Sequence, residues 1–240
     1  MNINTHKDEI INLLSQNYPS AKIALNYKNN WQLFVAVILS AQCTDVKVNQ
    51  VTEKLFKKYA GKTLRDEIKN YANTNLQEFE QDIRQSGFFH QKALRIINSA
   101  KIILEKFNGE VPKTMKDLLT LPGVARKTAN VILSSAYGIT EGIAVDTHVI
   151  RLSQRLRLVD LDKIGGKRVR KFAKQSGEVI DFIEDADPVK IESELMQNID
   201  KSQWLKISYR LIDHGRAICK AINPNCQVCF LNKVCPTARV

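Results

Sequence analysis

The stretch from residue 121 to 150 constrains the fold of this chain most, because it places a tight turn directly before a helical pattern. The turn sequence, Leu121-Pro122-Gly123-Val124, contains a proline, which fixes its own φ, and a glycine, which permits a positive φ. The apolar residues that follow at helical spacing are Ala129, Ile132, Leu133 and Ala136. They predict a helix that begins near Ala125 or Arg126 and buries one face.

Lys127 is predicted to lie in the first turn of that helix. Free N–H groups at a helix start attract anions, so two helices joined in this way can hold a nucleic-acid phosphate without reading the base sequence. The positive helix end also disfavours the ammonium form of a lysine and favours the free amine, which is the nucleophile in Schiff-base formation. Taken alone, however, Lys127 is a solvated helix lysine.

Asp146 supplies a carboxylate 19 residues after Lys127. It directly precedes a second apolar pattern, formed by Val149, Leu152 and Leu156, so its side chain is predicted to cap that helix. By itself this aspartate is an ordinary helix cap. Only the combination of Lys127 and Asp146 suggests a catalytic pair.

Helical spacing of apolar residues recurs along the rest of the chain and predicts an all-α fold. The segment from Trp31 to Ala41 is apolar nearly all round, as a buried central helix would be. Further helices are predicted around Ile10, Leu13 and Leu14 before Pro19, and over residues 45–59, 76–83 and 92–107. Breaks are predicted at Gly87 and at residues 109–112. No strand pattern separates these helices.

The charge of the chain favours a polyanionic partner. The formal net charge is +11 and the isoelectric point is about 9.4, which favours nucleic acid over a membrane surface. A generally basic cytosolic protein is the alternative on charge alone. The most apolar run, residues 34–39, is too short to span a bilayer, and the polar N-terminal segment lacks a signal-peptide core. We therefore expect a cytoplasmic protein without a membrane partner.

Four of the five cysteines lie within 17 residues of the C-terminal region, in the pattern C-x6-C-x2-C-x5-C formed by Cys219, Cys226, Cys229 and Cys235. This clustering suits a metal site in a reducing compartment better than a set of disulfides. Four thiolates can hold either a 4Fe-4S cluster or a zinc ion, although structural zinc usually uses two C-x2-C pairs. Cys43 is left over and is interpreted as a small buried apolar residue.

The sequence LPGVxRKTANVxL followed by AVDTHV resembles the helix-hairpin-helix DNA glycosylases, specifically the endonuclease III branch. The resemblance extends to residues 39–45 (LSAQCTD), residues 87–93 (GFFHQKA), His214-Gly215-Arg216 and the cysteine pattern, so it covers most of the chain. It implies a six-helix barrel-like domain over residues 23–139, with the hairpin at about 114–138. A second helical domain would comprise residues 1–22 and 140–240, with a cluster loop at 219–235, and DNA would lie in the cleft between the two domains.

The same resemblance implies an activity and a set of site residues. The enzyme would act as a monomer on double-stranded DNA that carries a damaged base or an abasic site. It would release oxidised pyrimidines and cleave the abasic strand by β-elimination, with Lys127 and Asp146 as catalytic residues. The four cysteines would hold a 4Fe-4S cluster. Further DNA contacts are assigned to Gln42, Phe88, Leu121, Gly123, Val124, Ala125, Arg126 and Lys220.

Gln42 and Phe88 are the residues that the resemblance assigns to the base stack, with Phe89 as an alternative to Phe88. An enzyme that attacks C1′ must flip the nucleotide out and fill the gap that it leaves. Without the resemblance, Gln42 would be a polar residue at a helix end and Phe88 a core aromatic.

The chain departs from the family pattern at two places. Residues 163–177 hold six Lys or Arg and no acid, whereas residues 178–200 hold eight acids and one lysine. This segment is either a surface extension with opposite charges or an extra DNA contact through Lys167, Arg168, Arg170 and Lys171. In the hairpin, Ala125 replaces a glycine of the usual LPGVG. We expect a negative φ at residue 125, because it leads directly into the helix.

Two other functions remain open at this point. A relative that removes adenine from mismatches or acts on 8-oxoguanine is one, although such adenine-specific relatives generally lack the hairpin lysine and carry an additional C-terminal domain. A non-catalytic DNA-binding or redox-sensing iron-sulfur protein is the other, and the presence of Lys127 and Asp146 argues against it.

Overall fold

The computed structural model describes residues 3–174 and 177–240, and their side chains from residue 6 onward. The described chain forms two compact units, Ile23–Glu141 and Met1–Lys22 together with Gly142–Val240. The helices are α1 (Ile3–Asn17), α2 (Asn30–Leu39), α3 (Asp45–Lys58), α4 (Leu64–Ala72), α5 (Leu76–Ile83), α6 (Phe89–Lys106), α7 (Met115–Leu118), α8 (Arg126–Tyr137), α9 (Thr147–Arg155), α10 (Pro188–Asn198) and α11 (Trp204–Ala217). Short 3-10 turns lie at Arg84–Ser86, Lys201–Gln203 and Cys226–Val228. None of the described helices is both long enough and apolar enough to cross a membrane.

Helix α2 is the centre of the unit formed by residues 23–141. Every residue from Trp31 to Leu39 is buried, which confirms the prediction of a central helix that is apolar on all sides. The helix begins where the Asn29 side chain accepts a hydrogen bond from the Gln32 amide at 2.9 Å. It packs against α3, α6 and α8, so it joins the elements that carry the candidate site residues of this unit.

Helix α4 was not among the sequence predictions. Its signals are nevertheless present: Thr63 caps the helix by accepting from the Asp66 amide, and the buried residues Ile68, Tyr71 and Ala72 share one face. Helix α4 packs on α6, whose Ala93, Ile96, Ile97, Ala100 and Ile103 form the opposing buried surface.

The other unit is built on α9, which contacts α10, α11 and the sheet, while α1 packs on α11. Val149 and Leu152 are fully buried and Leu156 nearly so, as the second apolar pattern predicted. Ile10 and Leu14 of α1 belong to the same core. The N-terminal helix therefore packs with the C-terminal part of the chain.

The expectation that no strand occurs was wrong for one segment, although the fold is helical as predicted. Strands β1 (Val169–Lys174) and β2 (Gly177–Ile183) pair in an antiparallel hairpin. The signal that was overlooked is the β-branched and aromatic run of β2, which the many charges obscured. The buried amide of Gln154 bonds the Ile183 carbonyl at 3.1 Å and the Ile183 amide at 2.7 Å, so the hairpin is anchored to α9.

The charges of this hairpin largely neutralise one another. Arg168 pairs with Asp185 at 3.8 Å, Lys171 pairs with Glu178 at 2.7 Å, and Arg170 pairs with Glu184. All three basic side chains are substantially exposed, so each pair contributes little stability but reduces the charge that is available to a phosphate. These pairs favour charge neutralisation over an extra DNA contact, but residues 163–200 are more than a surface extension, because Ile164, Ile191 and Leu195 are fully buried in the core.

Candidate functional site

The turn between α7 and α8 has the geometry that its sequence predicts. The Val124 amide donates to the Leu121 carbonyl at 3.1 Å, and Gly123 has a φ of +80°. The side chains of Leu121 and Val124 are buried. Because these two side chains face the core, the exposed surface of the turn consists of Gly123 and Ala125.

Ala125 is the N-cap residue of α8, with φ −95° and ψ 170°. The expectation of a negative φ at this position is confirmed. An alanine side chain has no atom that can accept from the first amides of a helix, so Ala125 does not cap α8 with its side chain. The methyl group itself is exposed.

Lys127 is the second residue of α8 and is half-buried. The helix buries Ala129, Ile132 and Leu133 completely, which orients the first turn as the apolar pattern predicted. Arg126 precedes it as the first helical residue and is also half-buried. The start of α8 thus combines a lysine, an arginine and a helix N-terminus.

Asp146 is the N-cap residue of α9, as predicted. Its Oδ1 accepts hydrogen bonds from the amides of His148 and Val149, both at 2.9 Å. The side chain is half-buried. Two amide donors on one oxygen fix the orientation of the carboxylate.

Gln42 and Phe88 share an unusual backbone conformation. Both are non-glycine residues with positive φ, 53° at Gln42 and 49° at Phe88, a region that L residues rarely adopt. Both are exposed, and Phe88 retains 66% of its accessible surface. The alternative of a core aromatic is therefore wrong for Phe88. Phe89 is half-buried against the His90 ring.

Cys43, which follows Gln42, is half-buried. The interpretation of Cys43 as a small buried apolar residue was too strong, because the loop between α2 and α3 lies at the surface on both sides of it.

Sequence analysis missed Lys92, whose side chain is 1% exposed. Its Nζ donates to the carbonyl oxygens of Leu39 and Ser86, both at 2.8 Å. Burial lowers the pKa of this ammonium group. The residue belongs to the GFFHQKA motif, but the motif does not reveal contacts with a segment more than fifty residues away.

Arg95 of α6 was also missed, and it lies against the hairpin turn. A Cβ atom added at Gly123 would lie 2.4 Å from Cδ of Arg95. Gly123 is therefore required both by its positive φ and by the arginine beside it. The Arg95 side chain is exposed and places a guanidinium next to the turn.

The four C-terminal cysteines line one cavity. Cys219, Cys226, Cys229 and Cys235 all contribute to its wall, and the cavity is partly open to solvent. All five cysteines are free thiols. Among the described residues, no three His, Cys, Asp or Glu side chains converge closely enough to hold a single metal ion. The four thiols therefore line a shared cavity and do not converge on a single point.

Donor groups surround these thiols. The Nη1 atom of Arg155 lies 3.3 Å from Sγ of Cys219, and the Leu231 amide lies 3.4 Å from Sγ of Cys229. Arg155 is itself buried and pairs with Asp181 at 2.7 Å. Burial raises the pKa of the Cys229 thiol to about 11. Hydrogen bonds of this kind stabilise thiolates, so the residues fit an all-cysteine metal cofactor. Lys220, which follows Cys219, is exposed.

Comparison with known proteins identifies the class. Residues 35–178 match the model of the HhH-GPD superfamily of base excision DNA repair proteins. An endonuclease III from Synechocystis sp. is 43% identical over 231 residues, which cover 96% of this chain and 92% of that protein.

Solved structures give the same result. The structure of a non-covalent endonuclease III–DNA complex matches with a TM-score of 0.82 at 36% identity, and covers 99% of this chain and 97% of that chain. A trapped endonuclease III–DNA covalent intermediate matches with a TM-score of 0.81 at 36% identity, and covers 99% and 98%. The chain belongs to the endonuclease III family of base excision DNA repair enzymes.

Proposed function

We propose that this chain excises oxidised pyrimidines from double-stranded DNA and then cleaves the abasic strand by β-elimination. The observation that carries the proposal is the start of α8, where Lys127 lies in the first turn directly after an exposed hairpin residue, Ala125, whose side chain does not cap the helix. A bifunctional glycosylase and lyase activity is the activity class of the endonuclease III family. A member of that family has been captured as a trapped covalent intermediate with DNA, which supports a covalent mechanism.

Lys127 is the proposed nucleophile. Its amine attacks C1′ of the damaged nucleotide, a bond forms between Nζ and C1′, and the bond from C1′ to the base breaks with its electrons on the departing base. Asp146 accepts the proton that the amine loses and stabilises the positive charge that develops on the sugar. The Oδ1 atom of Asp146 is held by two amides, so we assign the proton transfer to Oδ2.

The same lysine accounts for strand cleavage. The sugar ring opens to give an imine between Nζ and C1′, which acidifies C2′. Loss of a C2′ proton to water then forms a double bond between C2′ and C3′ and breaks the C3′–O bond, whose electrons leave with the phosphate, so the strand on the 3′ side departs with a 5′ phosphate. Water hydrolyses the imine and frees Lys127, so no cofactor is consumed.

The exposed residues Gln42 and Phe88 are proposed to enter the base stack when the damaged nucleotide leaves it. An aromatic side chain that is 66% exposed is costly in water, and its insertion offsets part of the unstacking cost of a few kcal/mol. The hairpin residues from Leu121 to Arg126 would hold the phosphate through their backbone. Arg95 would add a charge beside Gly123.

We propose that Cys219, Cys226, Cys229 and Cys235 hold a 4Fe-4S cluster. Support comes from the all-thiolate donor set, its arrangement around one cavity and the donors directed at the sulfurs. When bound, the cluster would fix loop 219–235 and thereby hold Lys220 in place for a phosphate. The enzyme would act as a monomer in the cytoplasm, on the nucleoid in a bacterial cell.

Borohydride trapping tests the central assignment. Wild-type protein incubated with duplexes carrying thymine glycol or an abasic site should be captured covalently, whereas Lys127→Gln should not. Lys116→Gln is the matched control, because Lys116 is an exposed lysine of the same hairpin, on α7. Capture of Lys127→Gln at the wild-type level would assign the nucleophile elsewhere. Duplexes with 8-oxoguanine, alone or opposite adenine, separate the alternative substrate classes.

A further inference from the structure

Lys92 joins the two loops that carry the proposed stack-entering residues. Its ammonium group is 1% exposed and donates to the carbonyl of Leu39, the last residue of α2, and to the carbonyl of Ser86, the last residue of a 3-10 turn. The first carbonyl lies three residues before Gln42, and the second lies two residues before Phe88. One buried side chain therefore fixes the starting point of both segments.

The two segments need such a support. Gln42 and Phe88 hold positive φ angles of 53° and 49°, and residues in this region persist only where the surrounding structure imposes the conformation. Their exposed side chains make few contacts that would impose it. The bonds from Nζ to the backbone just ahead of each residue provide the constraint.

Stability alone does not account for a lysine at this position. A buried ammonium group without a counter-ion is costly, and no carboxylate in the described part of the chain pairs with Lys92. A methionine of similar length would fill the same space without that cost. What only a multi-donor group offers is two simultaneous hydrogen bonds to carbonyls on two different segments.

We propose that Lys92 is a positioning residue, which holds Gln42 and Phe88 in one fixed arrangement before DNA binds. This proposal rests on the proposed function, because the positions of Gln42 and Phe88 affect catalysis only if both residues enter the base stack. Two side chains that fill one gap in a duplex must hold a fixed position relative to each other. A misplacement of the reacting groups by about 1 Å can slow a reaction by about 10²-fold.

The test compares Lys92→Met with wild type on a duplex that carries thymine glycol beside 2-aminopurine, whose fluorescence rises when it is unstacked. At saturating protein, Lys92→Met should lose most of the fluorescence rise and should excise thymine glycol about 10- to 100-fold more slowly. Trapping on an abasic site in single-stranded DNA needs no stack filling and should change by less than about twofold. Lys101→Met, an exposed lysine on the same helix, should match wild type in all three assays.

A double-mutant comparison separates positioning from a general loss of structure. In a Gln42→Ala, Phe88→Ala background, Lys92→Met should add less than about twofold to the loss, because no side chains remain to be positioned. Independent, multiplicative losses would overturn the proposal. So would a wild-type fluorescence rise in Lys92→Met.

Circular-dichroism melting checks that each variant is folded. If Lys92→Met is unfolded at the assay temperature, Lys92→Gln replaces it with the same expected and contrary results, because the glutamine side chain is one atom shorter than that of lysine and brings no donor to the position of Nζ. Absence of a fluorescence rise in wild type, with normal excision by Phe88→Ala and Gln42→Ala, would instead refute the proposed stack entry and the positioning role with it.

Discussion

Ala125→Gly tests the backbone of the hairpin at the position where this chain departs from its family. With φ −95° and ψ 170°, alanine is unstrained there, so glycine relieves nothing in the folded state. Glycine does increase the conformational entropy of the unfolded chain, which lowers the free energy of unfolding by about 0.4–1 kcal/mol. For a protein of this size that corresponds to a decrease in Tm of about 1–4 °C.

Gly123→Ala is the matched comparison two residues earlier, and its predicted cost is larger. At a φ of +80° an L side chain is strained by roughly 1–2 kcal/mol. The new Cβ would also lie 2.4 Å from Cδ of Arg95, and moving that side chain off its rotamer costs about 0.5–1.5 kcal/mol. The sum, about 1.5–3.5 kcal/mol, predicts a decrease in Tm of about 3–14 °C.

Thermal unfolding and DNA binding measure the two effects separately. Both variants are melted in one buffer, and binding is followed by fluorescence anisotropy on a duplex with a stable abasic analogue. Ala125→Gly should bind as well as wild type or up to about tenfold better, since at most one phosphate contact is relieved. A higher Tm for Ala125→Gly than for wild type would show that the hairpin is strained at residue 125 and would refute this reasoning.

Three further predictions concern the carboxylate, the thiols and the basic surface. Asp146→Asn should keep the fold and DNA binding but lower turnover by at least about 10²-fold; near-normal turnover would reduce Asp146 to a helix cap. Purified protein should absorb near ~400 nm with about four irons per chain, and replacement of Cys219, Cys226, Cys229 or Cys235 by Ser should remove this absorbance while Cys43→Ser keeps it; stoichiometric zinc without iron would contradict this. Arg95→Ala should flatten the slope of log K for DNA binding against log[salt] by about 0.9. Joint replacement of four basic residues by Ala should change the slope by less than that, because three of them pair with acids; the four are Lys167, Arg168, Arg170 and Lys171. An equal or larger change for this quadruple variant would show that the β1–β2 hairpin contacts DNA.

The helices that bury a continuous face were predictable from the sequence. The predicted segment 76–83 coincides with α5, and the all-round apolar pattern after Asn30 identified α2. The β1–β2 hairpin did not follow from the same reasoning, because charged residues interrupt the apolar pattern of both strands and four of the six residues of β1 are exposed. Its anchoring to α9 depends on Gln154 and Arg155, whose partners lie 29 and 26 residues away.

The local backbone conformation of the motif residues was predictable from the sequence, but their contacts with distant segments were not. The turn at Gly123, the cap at Asp146 and the negative φ at Ala125 all follow from residue type and neighbours in the chain. The contacts of Lys92 and Arg95 do not, because they join segments that are distant in sequence. Sequence patterns therefore predict which residues are chemically suited to the reaction, and they do not show which contacts hold those residues in place.

The positive-φ residues show where that support matters most. Five non-glycine residues of the described chain have positive φ. Two are asparagines, Asn108 and Asn223, which tolerate the conformation. Arg157 is held by bonds from its own guanidinium to the carbonyls of Gln154 and Ile180.

Gln42 and Phe88 fit neither explanation. Neither residue type favours a positive φ, and both side chains point into solvent. Conformations that violate local preference are expected to cluster at functional sites, where the rest of the structure bears their cost. In this unit that cost falls on α6, which places Lys92 beneath both loops and Arg95 against the hairpin. Helix α6, which carries no proposed catalytic residue, thus supports residues of its unit that are proposed to contact DNA.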